Sequence, residues 1–365
     1  VNYAWLIRPS VTSLKPYKPG TTVAQARATY GLTEVIKLSS NENPLGASPL
    51  AAAALRDLHD LQVYVDDDHR ELRTRLAEPY GLAMENVLVG NGSNEVVRTI
   101  FTALLAAGDE VVVADPTFSL FPIDALLFDA IPVKVPLRDG VHDLDAMAAA
   151  ITPKTKIVVI VDPNNPTGTR VQREDFARFL TRLPDDVVLI LDQAYREYAP
   201  DGVVEGVDVV KSRPGTIVLR THSKLYGLAS LRFGYALGDP ELLGYVQRIR
   251  LPFNVSRPAA VAALAALDDT DFVRRSLETN AAGIAQLYPG FARIGLSAYP
   301  TAANFVAVTV PGSATEAYEK MLARGVVTRS GDALGMPGRL RITIGTEAMN
   351  AAVLDALATL QPAHA

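Results

Sequence analysis

Three apolar runs, each ending in a cluster of polar, chemistry-bearing residues, constrain this chain more than any other feature. KIVVIV (Lys156 to Val161) leads into DPNNPTG (Asp162 to Gly168), VVLIL (Val187 to Leu191) leads into DQAY (Asp192 to Tyr195), and a third apolar run leads into THSKLYGLASLR (Thr221 to Arg232). From about Val87 to Leu237 such runs alternate with amphipathic helical stretches, the pattern of a mostly parallel sheet covered by helices. In an open α/β sheet, ligands bind in the crevice beyond the carboxyl ends of the strands, so clusters far apart in sequence converge there. The expected architecture is α/β with a large domain over residues 46–256. A smaller α/β domain is expected from residues 1–45 and 257–365, the latter carrying SAYPTAANFVAVTV, a helical stretch around Ala314 to Arg324, and RLRITIG followed by a final helix. The Ala-rich PAAVAALAAL (Pro258 to Leu267) reads as a helix, core or connector at that length rather than a membrane segment.

An acid, an amide, a phenol and a lysine delivered to one sheet edge point to pyridoxal 5'-phosphate chemistry. That cofactor withdraws electrons only while its ring nitrogen stays protonated, which requires a carboxylate held against it. Asp192 is the candidate; at about 4 Å and an effective dielectric near 20 such a pair attracts by about 4 kcal/mol before desolvation. Asn165 and Tyr195 can donate to the ring's phenolic oxygen, and Lys224 can form the Schiff base and move the proton. VLVGNGSNEVVRTIFTALLAAGDEVVVA (Val87 to Ala114) offers a strand, a glycine turn and a helix, whose N-terminus at Ser93 and Asn94 favours a phosphate. Ser93 is expected as the N-cap. Thr221, Ser223 and Arg232 complete the cradle, and Phe118 can stack on the ring.

Each signal has a plain alternative. NNPTG alone is a turn, Asp192 alone a helix cap, Phe118 alone a core aromatic and Lys224 alone a surface lysine. Their order at successive strand ends decides between the readings. With SSNENPLG (Ser39 to Gly46), GNGSNE (Gly90 to Glu95), DPTF (Asp115 to Phe118), LPFNVS (Leu251 to Ser256), ANF (Ala303 to Phe305) and LRITIGT (Leu340 to Thr346), the chain resembles the fold-type-I pyridoxal phosphate enzymes nearly end to end. Within them it resembles the histidinol-phosphate aminotransferase family. The resemblance implies Lys224, Asp192 and Tyr195 as catalytic residues, and Ser93, Asn94, Asn165, Ser223 and Arg232 as cofactor contacts. It also implies Tyr64 as a contact to the cofactor phosphate of a neighbouring subunit, hence a homodimer with shared sites. Arg341 is the implied receiver of the substrate carboxylate or phosphate, supported by Arg329 and Tyr17.

Departures from the family pattern are Val65, Gln193, His222 and Ser230, and of these His222 reads as a packing and hydrogen-bonding residue. The implied reaction exchanges an amino group between histidinol phosphate and 2-oxoglutarate. The alternatives are an aromatic amino acid aminotransferase, a threonine-phosphate decarboxylase and a non-catalytic pyridoxal phosphate sensor. A net charge of −5 with interspersed signs argues against nucleic acid, and the absence of cysteine excludes disulfides and thiolate metal sites. The acidic run Asp66 to Asp68 reads as a solvated face. VNYAWLIRPS has neither a charged n-region nor a long apolar run, so a cytoplasmic protein is expected, with Val1 read as following a few further residues.

Overall fold

The computed structural model describes residues 3–12, 14, 20–200 and 202–360; Tyr17 lies outside them. Its strands are β1 (Ile36–Lys37), β2 (Val87–Asn91), β3 (Glu110–Asp115), β4 (Ile131–Pro136), β5 (Thr155–Val161), β6 (Val188–Asp192), β7 (Thr216–Thr221), β8 (Phe233–Gly238), β9 (Phe305–Thr309), β10 (Val326–Val327), β11 (Arg329–Ser330) and β12 (Arg339–Thr343). Seven of them form one sheet in the order β2-β8-β7-β6-β5-β3-β4. Strands β3 to β7 pair in parallel, and β8 runs antiparallel to both β7 and β2.

The near-continuous apolar character of β5, β6 and β7 follows from burial on both faces. Alternate residues enter different cores, as the two-residue period of a strand requires. Val158, Ile160, Leu189, Leu191 and Val218 pack on one side with Phe176 and Phe179 of the helix Arg173–Leu180. Ile157, Val159, Ile190, Ile217 and Leu219 pack on the other with Val96, Val97, Ile100 and Phe101 of the helix Ser93–Leu104.

A second, smaller body holds the antiparallel sheet β11-β12-β9 and the parallel pair β1-β10. Val306, Val308, Leu340 and Ile342 share a core with Leu287 and Phe291 of the 24-residue helix Thr270–Arg293 and with Val353 and Leu357 of the helix Glu347–Ala358. The Ala-rich stretch is a helix, Arg257–Leu267, capped by Ser256, and it buries Ala259 and Ala263 in the core of the large sheet. After β1 the chain crosses between the two bodies. Thr343 N donates to Leu38 O at 2.8 Å on the small side, and Asn43 Nδ2 donates to Leu225 O at 2.7 Å on the large side.

Asp66 to Asp68 stays partly solvated, as expected, and also builds a turn. Asp66 accepts from Arg70 N at 3.0 Å, and Asp67 pairs with Arg250 at 2.8 Å. Among the described residues no helix is long and apolar enough to cross a membrane.

Candidate active site

The carboxyl ends of β5, β6 and β7 lie side by side, with Val161 in register with Asp192 and Asp192 with Leu219. They open into a cavity of about 660 Å³ between the large sheet and β11-β12. Lys224, Asp192, Tyr195 and Asn165 all line it, as do Ser93, Asn94, Phe118, Thr221, Ser223, Arg232, Arg329 and Arg341.

Lys224 is half-buried, with Nζ donating to Ser40 O at 3.1 Å and standing 5.7 Å from the centroid of the Tyr195 ring. Burial, reinforced by the Arg341 charge, pushes its amine down to about 8. Asp192 is 5% exposed. Burial lifts its carboxyl to about 6, against the opposing pull of the Ala194 N–H at 3.1 Å and of Lys224. Ionising this carboxyl therefore costs energy until a cation meets it. The buried Tyr195 phenol packs edge-on against Phe305 at 5.1 Å and accepts from Asn41 Nδ2 at 2.9 Å. Asn165 Oδ1 accepts from Arg341 Nη1 at 2.7 Å, which leaves its amide N–H groups for another acceptor.

NNPTG is both a turn and part of the site. Asn164 is wholly buried and locks the loop, accepting from Thr117 Oγ1 at 2.9 Å and donating to Thr167 Oγ1 at 2.9 Å, so the neighbouring Asn165 is presented on a fixed backbone.

At the far end of the cavity, the N-cap of the helix Ser93–Leu104 is Gly92 at φ 77°, so Ser93 is the first helical residue rather than the expected cap. The left-handed φ favours glycine at position 92, and backbone closeness requires it at 234, where a Cβ would run into the Ser93 backbone. Thr221 Oγ1 donates to Phe233 O at 3.0 Å and accepts from Ser223 N at 3.1 Å, fixing the start of the lysine loop beside that helix end. A helix N-terminus, the Ser93 and Ser223 hydroxyls and the Arg232 guanidinium in one cavity make an anion site. With the buried Asp192 carboxyl and Lys224 lining the same cavity, the donor set fits pyridoxal phosphate.

The opposite wall belongs to the small sheet. Arg329 on β11 and Arg341 on β12 are directly paired across the strands and so share one face. Arg341 Nη2 also donates to Ser39 O at 2.7 Å. Tyr64 is not brought to this cavity. It is 77% exposed and stacks on Phe253 at 4.4 Å.

Sequence reasoning assigned no role to Ser39, Ser40 and Asn41, although SSNENPLG contained them; their contacts to Arg341, Lys224 and Tyr195 appear only once the small body is in place. Gln193 gains a role as well. Its Oε1 accepts from Arg220 Nη2 at 3.0 Å and its Nε2 donates to Val204 O at 2.9 Å. Arg220 already meets Glu197 and Glu205, so a neutral amide completes its shell without a third carboxylate. His222 packs, stacking on Tyr226 at 4.4 Å and meeting Phe233 edge-on at 4.9 Å. The hydrogen-bonding half of its expected role is not met: both ring nitrogens are buried with no hydrogen-bond partner among the described residues. Burial pushes its imidazole down to about 3, so it stays neutral and supplies no acid.

Residues 33–357 match the family described as aminotransferase class I and II. A histidinol-phosphate aminotransferase of Halalkalibacterium halodurans is 42% identical over 354 residues, covering 96% of each chain. One of Bacillus subtilis is 41% identical over 357 residues, covering 97% of this chain and 99% of the other. Among solved structures, the histidinol-phosphate aminotransferase of Sinorhizobium meliloti in complex with pyridoxal-5'-phosphate superposes with a TM-score of 0.87 at 28% identity over 97% of both chains. An aspartate aminotransferase of Thermus thermophilus, at 24% identity and a TM-score of 0.82 over 97% of this chain and 99% of the other, shares the fold.

Proposed function

The chain belongs to the class I and II aminotransferases, in the histidinol-phosphate aminotransferase family, and from that premise we propose that it moves the amino group of histidinol phosphate to 2-oxoglutarate, giving imidazole acetol phosphate and glutamate in histidine biosynthesis. It is a fold-type-I, pyridoxal-phosphate-dependent enzyme.

The observation that carries the substrate assignment is the Arg329–Arg341 cross-strand pair on the cavity wall. Like charges placed opposite one another on a sheet repel, so the arrangement favours an anion between them. A phosphate, with several acceptor oxygens, matches two guanidinium groups presented on one face, and an aromatic side chain offers them no such acceptors.

When bound, pyridoxal phosphate takes up the donor's nitrogen and withdraws electrons from the carbon that bears it. Lys224 then has two tasks, covalent attachment through Nζ and proton transfer at the same atom. Burial holds the amine near 8, below the usual lysine range, which raises the share of neutral amine able to accept the proton from the substrate carbon. Ser40 O holds Nζ beside the Tyr195 ring between transfers. Asp192 keeps the ring nitrogen protonated, and its burial makes it a poor anion without that partner. Asn165 and Tyr195 donate to the phenolic oxygen. Ser93, Asn94, Ser223 and Arg232 would hold the phosphate, with Thr221 fixing the Ser223 backbone beside them, and Phe118 would pack on the ring.

Tyr64, exposed on the surface, is assigned to the cofactor phosphate of a second subunit, making the enzyme a homodimer with shared sites. Tyr17 is kept as a substrate contact. We further assign the enzyme to the cytoplasm, and we divide the chain into 46–256 and 1–45 with 257–365. The helix Arg257–Leu267 connects the two parts and leans on the larger by its packing.

Arg329→Ala tests the substrate assignment. Losing one charged pairing costs about 2–3 kcal/mol, so kcat/KM for histidinol phosphate is expected to fall roughly 30- to 150-fold while turnover of phenylalanine changes little. Equal losses for both substrates would move the assignment to aromatic amino acids.

A further inference from the structure

We propose that Asn41 is a positioning residue for Tyr195: it turns the phenolic proton into the cavity and ties the phenol to the strand that carries Arg341. The inference rests on the pyridoxal phosphate reading of the site. Asn41 is 1% exposed, and its Nδ2 donates to Tyr195 Oη at 2.9 Å. A phenol has one proton and lone pairs that accept. With Nδ2 on the accepting side, the proton points elsewhere, and a hydroxyl that accepts one hydrogen bond donates the next more strongly.

The Asn41 amide is held in that sense from the small body. Thr343 Oγ1 donates to Asn41 Oδ1 at 3.4 Å and accepts from Asn41 N at 2.9 Å. Asn304 Nδ2 donates to Asn41 O at 3.0 Å. The residue itself sits at φ 56°, in the left-handed region that asparagine tolerates better than most side chains. Its two predecessors repeat the theme, for Ser39 O accepts from Arg341 Nη2 at 2.7 Å and Ser40 O from Lys224 Nζ at 3.1 Å. Three consecutive residues thus hold the substrate arginine, the lysine and the phenol. A displacement of β12 at Arg341 reaches the phenol through two peptide units.

The charged and titratable groups around Tyr195 are Arg341 from β12, Asp192 at the end of β6, Lys224 over its ring, and Tyr198 on the turn that follows. Neither donor among them takes the place of Asn41, for Arg341 donates to Asn165 and Ser39 and Lys224 to Ser40 O.

The test is a pH titration of the visible absorption of the cofactor-loaded protein. Weakening the phenol's donation destabilises the cofactor's phenolate, so the midpoint of the spectral transition is expected to rise by about half a unit or more in Asn41→Ala. It is expected to rise further in the nearly isosteric Asn41→Asp, where the phenol turns to donate to the new carboxylate. Thr343→Val, which keeps Asn41 but releases its amide, is expected to give a smaller rise in the same direction. In a Tyr195→Phe background the Asn41 substitutions should leave the midpoint unmoved. An unshifted midpoint in both Asn41 variants, or the same rise with and without the Tyr195 hydroxyl, overturns the inference. A parent protein without any pH-dependent visible band would overturn the cofactor reading itself, and the inference with it.

Discussion

Replacing Lys224 by alanine is expected to lower the transamination rate by about 10⁴-fold or more, because one atom carries both the covalent attachment and the proton transfer. The fold is expected to survive. Among the described residues Nζ makes a single hydrogen bond, to Ser40 O, and its amine is already pushed down to about 8 by burial, so removing it relieves desolvation as it deletes a contact. The melting temperature should therefore move by only a few degrees, a change of about 1 kcal/mol in stability. Added small primary amines should restore part of the rate by supplying the missing base, with efficiency rising with amine basicity and falling with size. Single-turnover absorbance in the presence and absence of amine measures both effects. Ordinary turnover by Lys224→Ala without added amine would contradict the assignment of the proton transfer to this residue.

Asp192→Asn is expected to separate activity from stability. The substitution keeps an oxygen for the Ala194 N–H but cannot hold the ring nitrogen protonated, and loss of one such electrostatic partner costs about 10²–10³-fold in rate. The protein without cofactor should move the other way. In the fold the carboxyl titrates near 6 rather than 3.8, so the native state binds its proton more tightly than the unfolded chain does. Below about pH 3 the group is protonated in both states and carries no penalty. As pH rises from about 3 through 6, the unfolded state ionises first and the native state loses up to about 3 kcal/mol. Asp192→Asn removes that loss, so the cofactor-free variant should melt above the parent at pH 7 and approach it near pH 3. Cofactor binding, which brings a cation to the carboxylate, should reverse the order. Thermal melts across pH, with and without cofactor, provide the measurement. A variant less stable than the parent at pH 7 without cofactor would show that the carboxylate is not strained as its burial implies.

The large sheet and most of the site follow from sequence because they rest on local signals. Apolar runs of strand length ending in Asp192 or Thr221 declare both the strand and the end at which chemistry is delivered. The NNPTG loop declares a turn, and its buried hydrogen bonds then fix Asn165. What stays hidden depends on contacts of long sequence separation. Asn41 reaches Tyr195 across 154 residues and Thr343 across 302, and no periodicity or turn chemistry near residue 41 encodes either partner. Gln193 is similar: its partner Arg220 lies on the next strand, and the two carboxylates that make a neutral amide suitable there come from the intervening loop. Ser93 is one residue past the cap because Gly92 takes the cap position with a left-handed φ of 77°, which the serine-as-cap preference does not anticipate.

The most direct test of the account is an anaerobic absorbance titration of the cofactor-loaded enzyme with histidinol phosphate, histidinol, phenylalanine and glutamate, following conversion of the cofactor to its amino form. The paired arginines of β11 and β12 predict rapid conversion by histidinol phosphate and glutamate, with discrimination against histidinol and phenylalanine that reaches about 10⁴-fold, the size expected of a site built for a polar group its analogue lacks. Conversion by phenylalanine or histidinol at a comparable rate would contradict the phosphate assignment.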